Sequence, residues 1–244
     1  ADGDDKGSHL QWSGLSSSFS MSGNHLIGSL EAPGMKIDDD VFVMGPVAMK
    51  TDLTVVADSV WIGSFGSTFA SFNFKGPAGA ASMTGISLDS DTTDTAGKLK
   101  SGASFAIKDM RFNDVSVSDT KLRLVLDQIG TQAMSDLSRA VNRYTVEQGG
   151  KTAAPEDLQR MLAAIKPSLA AIAADQPIFA IEELSFTAPQ GKVQASGKVQ
   201  YVGDGNVEDF AFGTDVAADA KLAAPIALID LMLKMQAAKT VVPG

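Results

Sequence analysis

His9 and His25 are the only imidazoles in the 244 residues, and neither has a second histidine at a metal-binding spacing. Imidazole is the usual metal ligand and the usual proton carrier near neutral pH, so two isolated copies read as ordinary strand-region residues. Three acidic clusters offer oxygen ligands instead: Asp38-Asp39-Asp40, then Asp89, Asp91 and Asp94, then Asp204, Asn206, Glu208 and Asp209. The middle one has the flavour of a calcium loop, but it lacks the loop glycine and places Lys100 where an EF-hand needs its bidentate acid. Solvated turns account for all three, because Asp and Asn stabilise turns through local hydrogen bonds. Gly63-Ser64-Phe65-Gly66-Ser67 is a glycine-rich stretch and does not match the Gly-x-Ser-x-Gly nucleophile elbow. Cysteine is absent, which removes disulfides, thiol catalysis and cysteine-ligated metals together. A carboxylate pair for glycoside hydrolysis is defined in space, not in sequence. The two Trp and two Tyr leave few rings for sugar stacking. No catalytic residue, metal site or cofactor is therefore expected.

The net charge of −9 and the isoelectric point near 4.6 argue against a nucleic-acid partner, since phosphate binding is driven by clustered Lys and Arg. No apolar run approaches the ~20 residues that span a bilayer. The chain opens ADGDDKG; the expectation is a processed piece whose targeting segment, and any membrane anchor, lie outside it.

What must position any site is read from periodicity. Leu184, Phe186 and Ala188 alternate with polar residues, as do Val193, Ala195, Val199 and Tyr201, and Pro189-Gln190-Gly191 turns the chain between them. This predicts an antiparallel hairpin with one apolar and one wet face. Similar short strands are expected over 26–31, 35–37, 47–56, 60–65, 83–88, 98–107 and 110–118. Phase slips are expected near Leu15 and at Asn113-Asp114, the second read as a bulge, and DSDTTDTAG (89–97) is read as a loop. The period then changes. Leu122, Leu126, Ile129, Ala133, Leu137, Val141 and Tyr144 predict a helix over 122–147 ended by Gly149-Gly150. A second helix starts at Pro155 and is kinked or broken by Pro167. A last helix is expected over about 225–238.

The expectation is a β-dominated α+β fold: a large bent antiparallel sheet with two or three helices packed on its inner face. It is read as one elongated domain, with a flexible start (1–8), a strand meander (9–118), a helical segment (119–176), a hairpin with further strands (177–217) and a C-terminal helix (222–240).

Trp12-Ser13-Gly14-Leu15 near the start and FAIEELSFTAPQGKVQASGKVQY late in the chain together resemble the YdgA-like family of bacterial envelope proteins, whose function is unassigned. Ile181, Leu184, Phe186, Thr187, Pro189, Gly191, Val193 and Gly197 carry the likeness. They are turn and core residues, so the resemblance brings no catalytic residue with it. It implies a periplasmic body, tethered to the inner membrane in the full-length protein, and a long curved sheet.

Phe65, Phe69, Phe72 and Phe74, with Met83, Phe105 and Phe112, are the candidate ligand-binding residues. Either they line a groove that holds an acyl chain, or they form a core filled by the helices. Phe and Met fill cores readily, which favours the second arrangement. The functional expectation is a non-catalytic envelope binding or scaffold module with a lipid or other apolar ligand, a protein partner or a second copy as its partner. A glycan hydrolase and a structural interaction domain are the competing classes.

Overall fold

The computed structural model describes residues 9–38, 41–77, 79–148, 155–205, 212–230 and 233–234. In chain order the elements are β1 (Leu10–Trp12), β2 (Ser16–Ser22), β3 (His25–Ala32), β4 (Met35–Ile37), β5 (Phe42–Met44), β6 (Val47–Ala57), β7 (Val60–Gly76), β8 (Gly79–Thr95), β9 (Lys98–Phe112), β10 (Val115–Gly130), α1 (Thr131–Gln148), α2 (Pro155–Ala174), β11 (Ile178–Ala188), β12 (Gly191–Tyr201), α3 (Phe212–Asp215) and β13 (Val216–Ala223). All strands join one antiparallel sheet, giving the expected β-dominated α+β fold.

The sheet is a meander because its turns allow little else. Residues 23–24, 58–59, 96–97, 113–114 and 189–190 are two-residue loops, and Ala96 and Gly97 both have positive φ, at 54° and 77°. Such turns match the twist of paired strands and return the chain directly beside itself.

The register reveals that several short strands are halves of longer ones. β2 pairs β3, and β1 pairs β4, with the same offset: Ser16 faces Glu31 and Trp12 faces Met35. β6 and β5 likewise share one edge of β7, where Val47 faces Phe69 and Met44 faces Phe72. The halves are separated by one line of broken pairing. Extending the registers across the gap aligns Gly14, Pro33, Pro46, Ala70, Gly85, Lys108 and Asp119. Pro33 and Pro46 lack an amide hydrogen and so cannot continue a ladder inside a sheet. Gly85 and Asp119 have φ of 59° and 51°, outside the extended range. A Cβ on Gly85 would lie 2.8 Å from the Cβ of Lys108, so the strands come close where the line passes.

α1 and α2 pack against the sheet at one end. Val60, Leu99 and Ile129 form the buried cluster there, with Leu126, Met134 and Ile172 against it. The Ser135 hydroxyl, 1% exposed, donates to the Asp58 carbonyl at 3.0 Å, and Arg139 reaches the Asp58 carboxylate at 2.9 Å. Thr131 starts α1 by donating its hydroxyl to Asp94 at 2.6 Å, and Lys98 pairs with Asp175 just beyond α2.

Several sequence expectations change. Residues 122–130 are strand, not helix: Leu122, Leu124 and Leu126 alternate with Arg123, Val125 and Asp127, and leucines four apart satisfy both periods. The helical segment therefore begins at Thr131, not at residue 119. Asn113-Asp114 is a hairpin turn rather than a bulge, with Asn113 at φ 51°. β8 runs through the expected loop to Thr95, since Thr92 and Asp94 are held by Ser101 and Thr131. α2 continues through Pro167 without breaking in two. Residues 222–223 end a strand, and a helical stretch covers 226–230. Gly149-Gly150, Asn206, Glu208, Asp209 and the end of the expected C-terminal helix lie outside the described residues.

Candidate functional site: an apolar face carried across a break

Residues paired across a ladder point to the same side of a sheet, and neighbours along a strand point to opposite sides. On the helix-ward side of the break, the adjoining row is Ala32, Val47, Phe69, Ile86 and Ile107, and extending the β2–β3 register by one residue sets Leu15 beside Ala32. Beyond it the nearest apolar row is Trp12, Met35, Met44, Phe72, Met83 and Met110, and the next is Leu10, Ile37, Phe42, Phe74, Ala81 and Phe112. Along β7 the apolar phase is therefore odd from Phe65 to Phe69 and even from Phe72 onward.

In an uninterrupted strand residues three apart face opposite ways. Here the rings of Phe69 and Phe72 lie 5.4 Å apart, and Phe42 and Phe72 6.3 Å apart. The chain slips phase at the break and the apolar residues stay on one face. Every strand from β1 to β9 makes the slip at the same line, so one apolar face runs from the helical end to the far end of the sheet.

Seven residues were singled out from sequence. Phe69, Phe72 and Met83 are brought together beside the break, with Met83 directly opposite Phe72. Phe74 and Phe112 share the outer row, each opposite Ala81, and are 47% and 58% exposed. Phe65 and Phe105 lie helix-ward on the same face, opposite Ser90 and Leu88. None of the seven belongs to the cluster packed against the helices. Sequence reasoning missed Trp12, Met35, Ile37, Phe42 and Met44; the alternations Met35-x-Ile37 and Phe42-x-Met44 were the available signal.

A cavity of about 820 Å³ follows the break, lined by Gly14, Pro33, Pro46, Ala70 and Gly85 on the line itself and by the row Ser16, Glu31, Ala48, Thr68 and Ser87, which points away from the apolar face, with the row of Phe69 between them; Phe72, Met83, Phe74 and Phe112 do not line it. Small side chains at the line leave the space that bulky residues would fill.

The opposite face is polar. Lys50, Gly66, Asp89, Ser104 and Arg123 fall in one row there. Arg123 donates to Glu182 at 3.0 Å, to Ser104 at 2.8 Å and to Asp91 at 3.4 Å. Its guanidinium pKa is raised above the ordinary value, chiefly by the hydrogen bond to Glu182, against partial desolvation and with help from Asp91. His25 and Asp52 pair at 2.7 Å on this face. A second cavity of about 650 Å³ lies along it, between Ser18, Lys50, Asp52, Ser64 and Asp91. Among the described residues no group of three His, Cys, Asp or Glu side chains is placed to hold a metal, and no helix is long and apolar enough to cross a membrane.

Fold and site together define a β-dominated α+β protein built on one antiparallel meander, with an apolar face that its helices cover at one end. The chain belongs to a family described as "Bacterial protein of unknown function (DUF945)", which matches residues 1–243. No curated protein and no solved structure matches it.

Proposed function

We propose that this protein is a non-catalytic binding module of the bacterial envelope that holds an acyl chain along the apolar face of its sheet. The observation that carries the reading is the shared phase slip. A break that merely bent the sheet would send the apolar side chains of the far end to the opposite face, whereas every strand shifts phase so that they stay together. The uncovered rows that contain Trp12, Phe74 and Phe112 suit a chain-like apolar ligand, since ligand sites are mostly apolar with few polar groups. Burial contributes about 0.8 kcal/mol per methylene, so roughly ten methylenes reach micromolar affinity before ordering costs. The envelope placement rests on the resemblance of the segment around Phe179 to Tyr201.

The test is native mass spectrometry of protein incubated with an extract of bacterial envelope lipids, alongside displacement of a fluorescent fatty acid. The expected result is near-stoichiometric acyl lipid, lost in Phe112→Asp and Phe74→Asp while circular dichroism is unchanged. A lipid-free mass with no probe binding overturns the reading. The exposure of Trp12 and Phe112 then favours the second one, a protein partner docked on the same rows.

A further inference from the structure

The sheet ends on β13, which among the described residues pairs with β12 alone. Its register is unbroken from Val216 opposite Tyr201 to Ala223 opposite Gln194, it contains no proline, and all its residues after Val216 are exposed. An open, regular edge of this kind is a template for another strand unless charge or shape forbids it. The charges on β13 are Asp219 and Lys221, which flank Ala220 and lie on one face of the strand. Asp219 has one partner, Lys198 at 3.8 Å with both side chains 56% exposed. Lys221 has no carboxylate within 4 Å among the described residues.

We infer that β13 pairs antiparallel with β13 of a second copy of this chain, about a two-fold axis through Ala220. In that register Asp219 stands opposite Lys221 of the second copy, and Lys221 opposite its Asp219. The interface is self-complementary, as a two-fold contact must be. The apolar side is also continuous. Leu222, 74% exposed, meets Ala218 of the second copy, with Val199 of that copy, 41% exposed, one strand further on.

The same two charges exclude the neighbouring registers. Keeping faces continuous limits the pairing to shifts of two residues. One such shift sets Asp219 against Asp219, the other Lys221 against Lys221, and like charges directly opposite are destabilising. The opposite edge of the sheet behaves differently. β2 reads SSSFSMS, with no charge to select a register or to complement a copy of itself. A contact of eight residues a side is at the small end of specific interfaces, so the dimer is weak and concentration-dependent. This inference is independent of the acyl-chain reading, because it concerns the edge and not the face of the sheet.

The full chain has no cysteine, so single cysteines report the register directly. Opposite residues in an antiparallel pair have Cα atoms about 4.5–5.5 Å apart, within disulfide range. Ala220→Cys is expected to cross-link to itself on mild oxidation. Ala217→Cys is not, since its own counterpart lies six residues along, at roughly 20 Å; it cross-links only when mixed with Ala223→Cys. By sedimentation equilibrium at low salt, Asp219→Lys and Lys221→Asp each weaken the dimer about tenfold, and the double exchange restores it, with circular dichroism unchanged throughout. Wild-type protein that stays monomeric to about 0.5 mM, equal cross-linking of Ala220→Cys and Ala217→Cys, or a double exchange no better than the singles overturns the inference.

Discussion

The two ends of the sheet carry the same kind of face and treat it differently. At the helical end Val60, Leu99 and Ile129 are 4–5% exposed beneath α1 and α2. At the far end Trp12, Phe74 and Phe112 are about half exposed, although they extend the same apolar surface. Stability needs a covered face somewhere, and the helical end supplies it. The open end is then free to serve another purpose, because large apolar side chains left in a shared patch mark interaction surfaces in soluble domains.

The largest contrast should appear when equivalent truncations are made at each end. Ile129→Ala removes atoms from the sealed cluster and leaves a cavity between β10 and the helices, so it is expected to cost about 3 kcal/mol in urea unfolding. Phe112→Ala removes a ring already 58% exposed, and is expected to stay within about 0.5 kcal/mol while abolishing binding of the fatty-acid probe. Equal destabilisation at the two positions would mean that the far end is core, and would remove the basis of the comparison.

The line between the ends can be broken separately. Gly34 adopts φ 121°, and a Cβ there would lie 2.5 Å from the carbonyl oxygen of Met44. That oxygen belongs to backbone and cannot move aside as a flexible side chain would. Gly34→Ala is expected to cost about 2–3 kcal/mol through backbone strain, and to open the β4–β5 pairing ahead of the rest. Hydrogen exchange should show lost protection at Met35 and Met44, whose amides face each other across β4–β5, while protection at Leu99 and Ile107 persists. Uniform loss across the sheet would show that the two halves unfold as one unit.

Individual strands were legible in the sequence, and the break was only partly so. The alternations at Leu184 to Ala188 and Val193 to Tyr201 became β11 and β12 because an apolar–polar alternation with a Pro-x-Gly turn has few other solutions. The slip near Leu15 was visible, yet Gly14, Pro33, Pro46, Ala70 and Gly85 share a line only once the registers are known. Pro33-Gly34 and Gly45-Pro46 mirror each other about the β4–β5 hairpin, which is the one local hint. Leu122 to Ile129 misled because leucines at 122 and 126 fit a helix and a strand equally, and Leu124 settles the matter only if period two is sought first. β13 was missed because Ala217, Ala218, Ala220 and Ala223 favour helix, and pairing with β12 overrides that preference. For the site, the Phe and Met residues were visible. Whether helices would cover them depended on where α1 and α2 dock, and that is set by long-range contacts such as Ser135 with Asp58.

The smallest effect is expected on the polar face, where the network around Arg123 spans β8, β9, β10 and β11. Its partners are solvent-accessible: the Arg123, Asp91 and Glu182 side chains are 36%, 52% and 45% exposed. Exposed ion pairs contribute at most about 1 kcal/mol and are screened by salt, so Arg123→Ala should lose less than that at low ionic strength and almost nothing near 1 M salt. The sign of the pH dependence follows from the raised guanidinium pKa. A group whose folded-state pKa is raised contributes fully below its unfolded value, and the contribution is lost only as pH rises through the folded one. Both values lie far above neutrality for arginine, so arginine titration leaves the difference between wild type and Arg123→Ala flat from about pH 6 to 9. Urea unfolding of both proteins at two salt concentrations and three pH values measures this. A loss of several kcal/mol that survives high salt would mean that Arg123 locks the strands together, and the polar face would then join the sealed end as part of what holds the sheet.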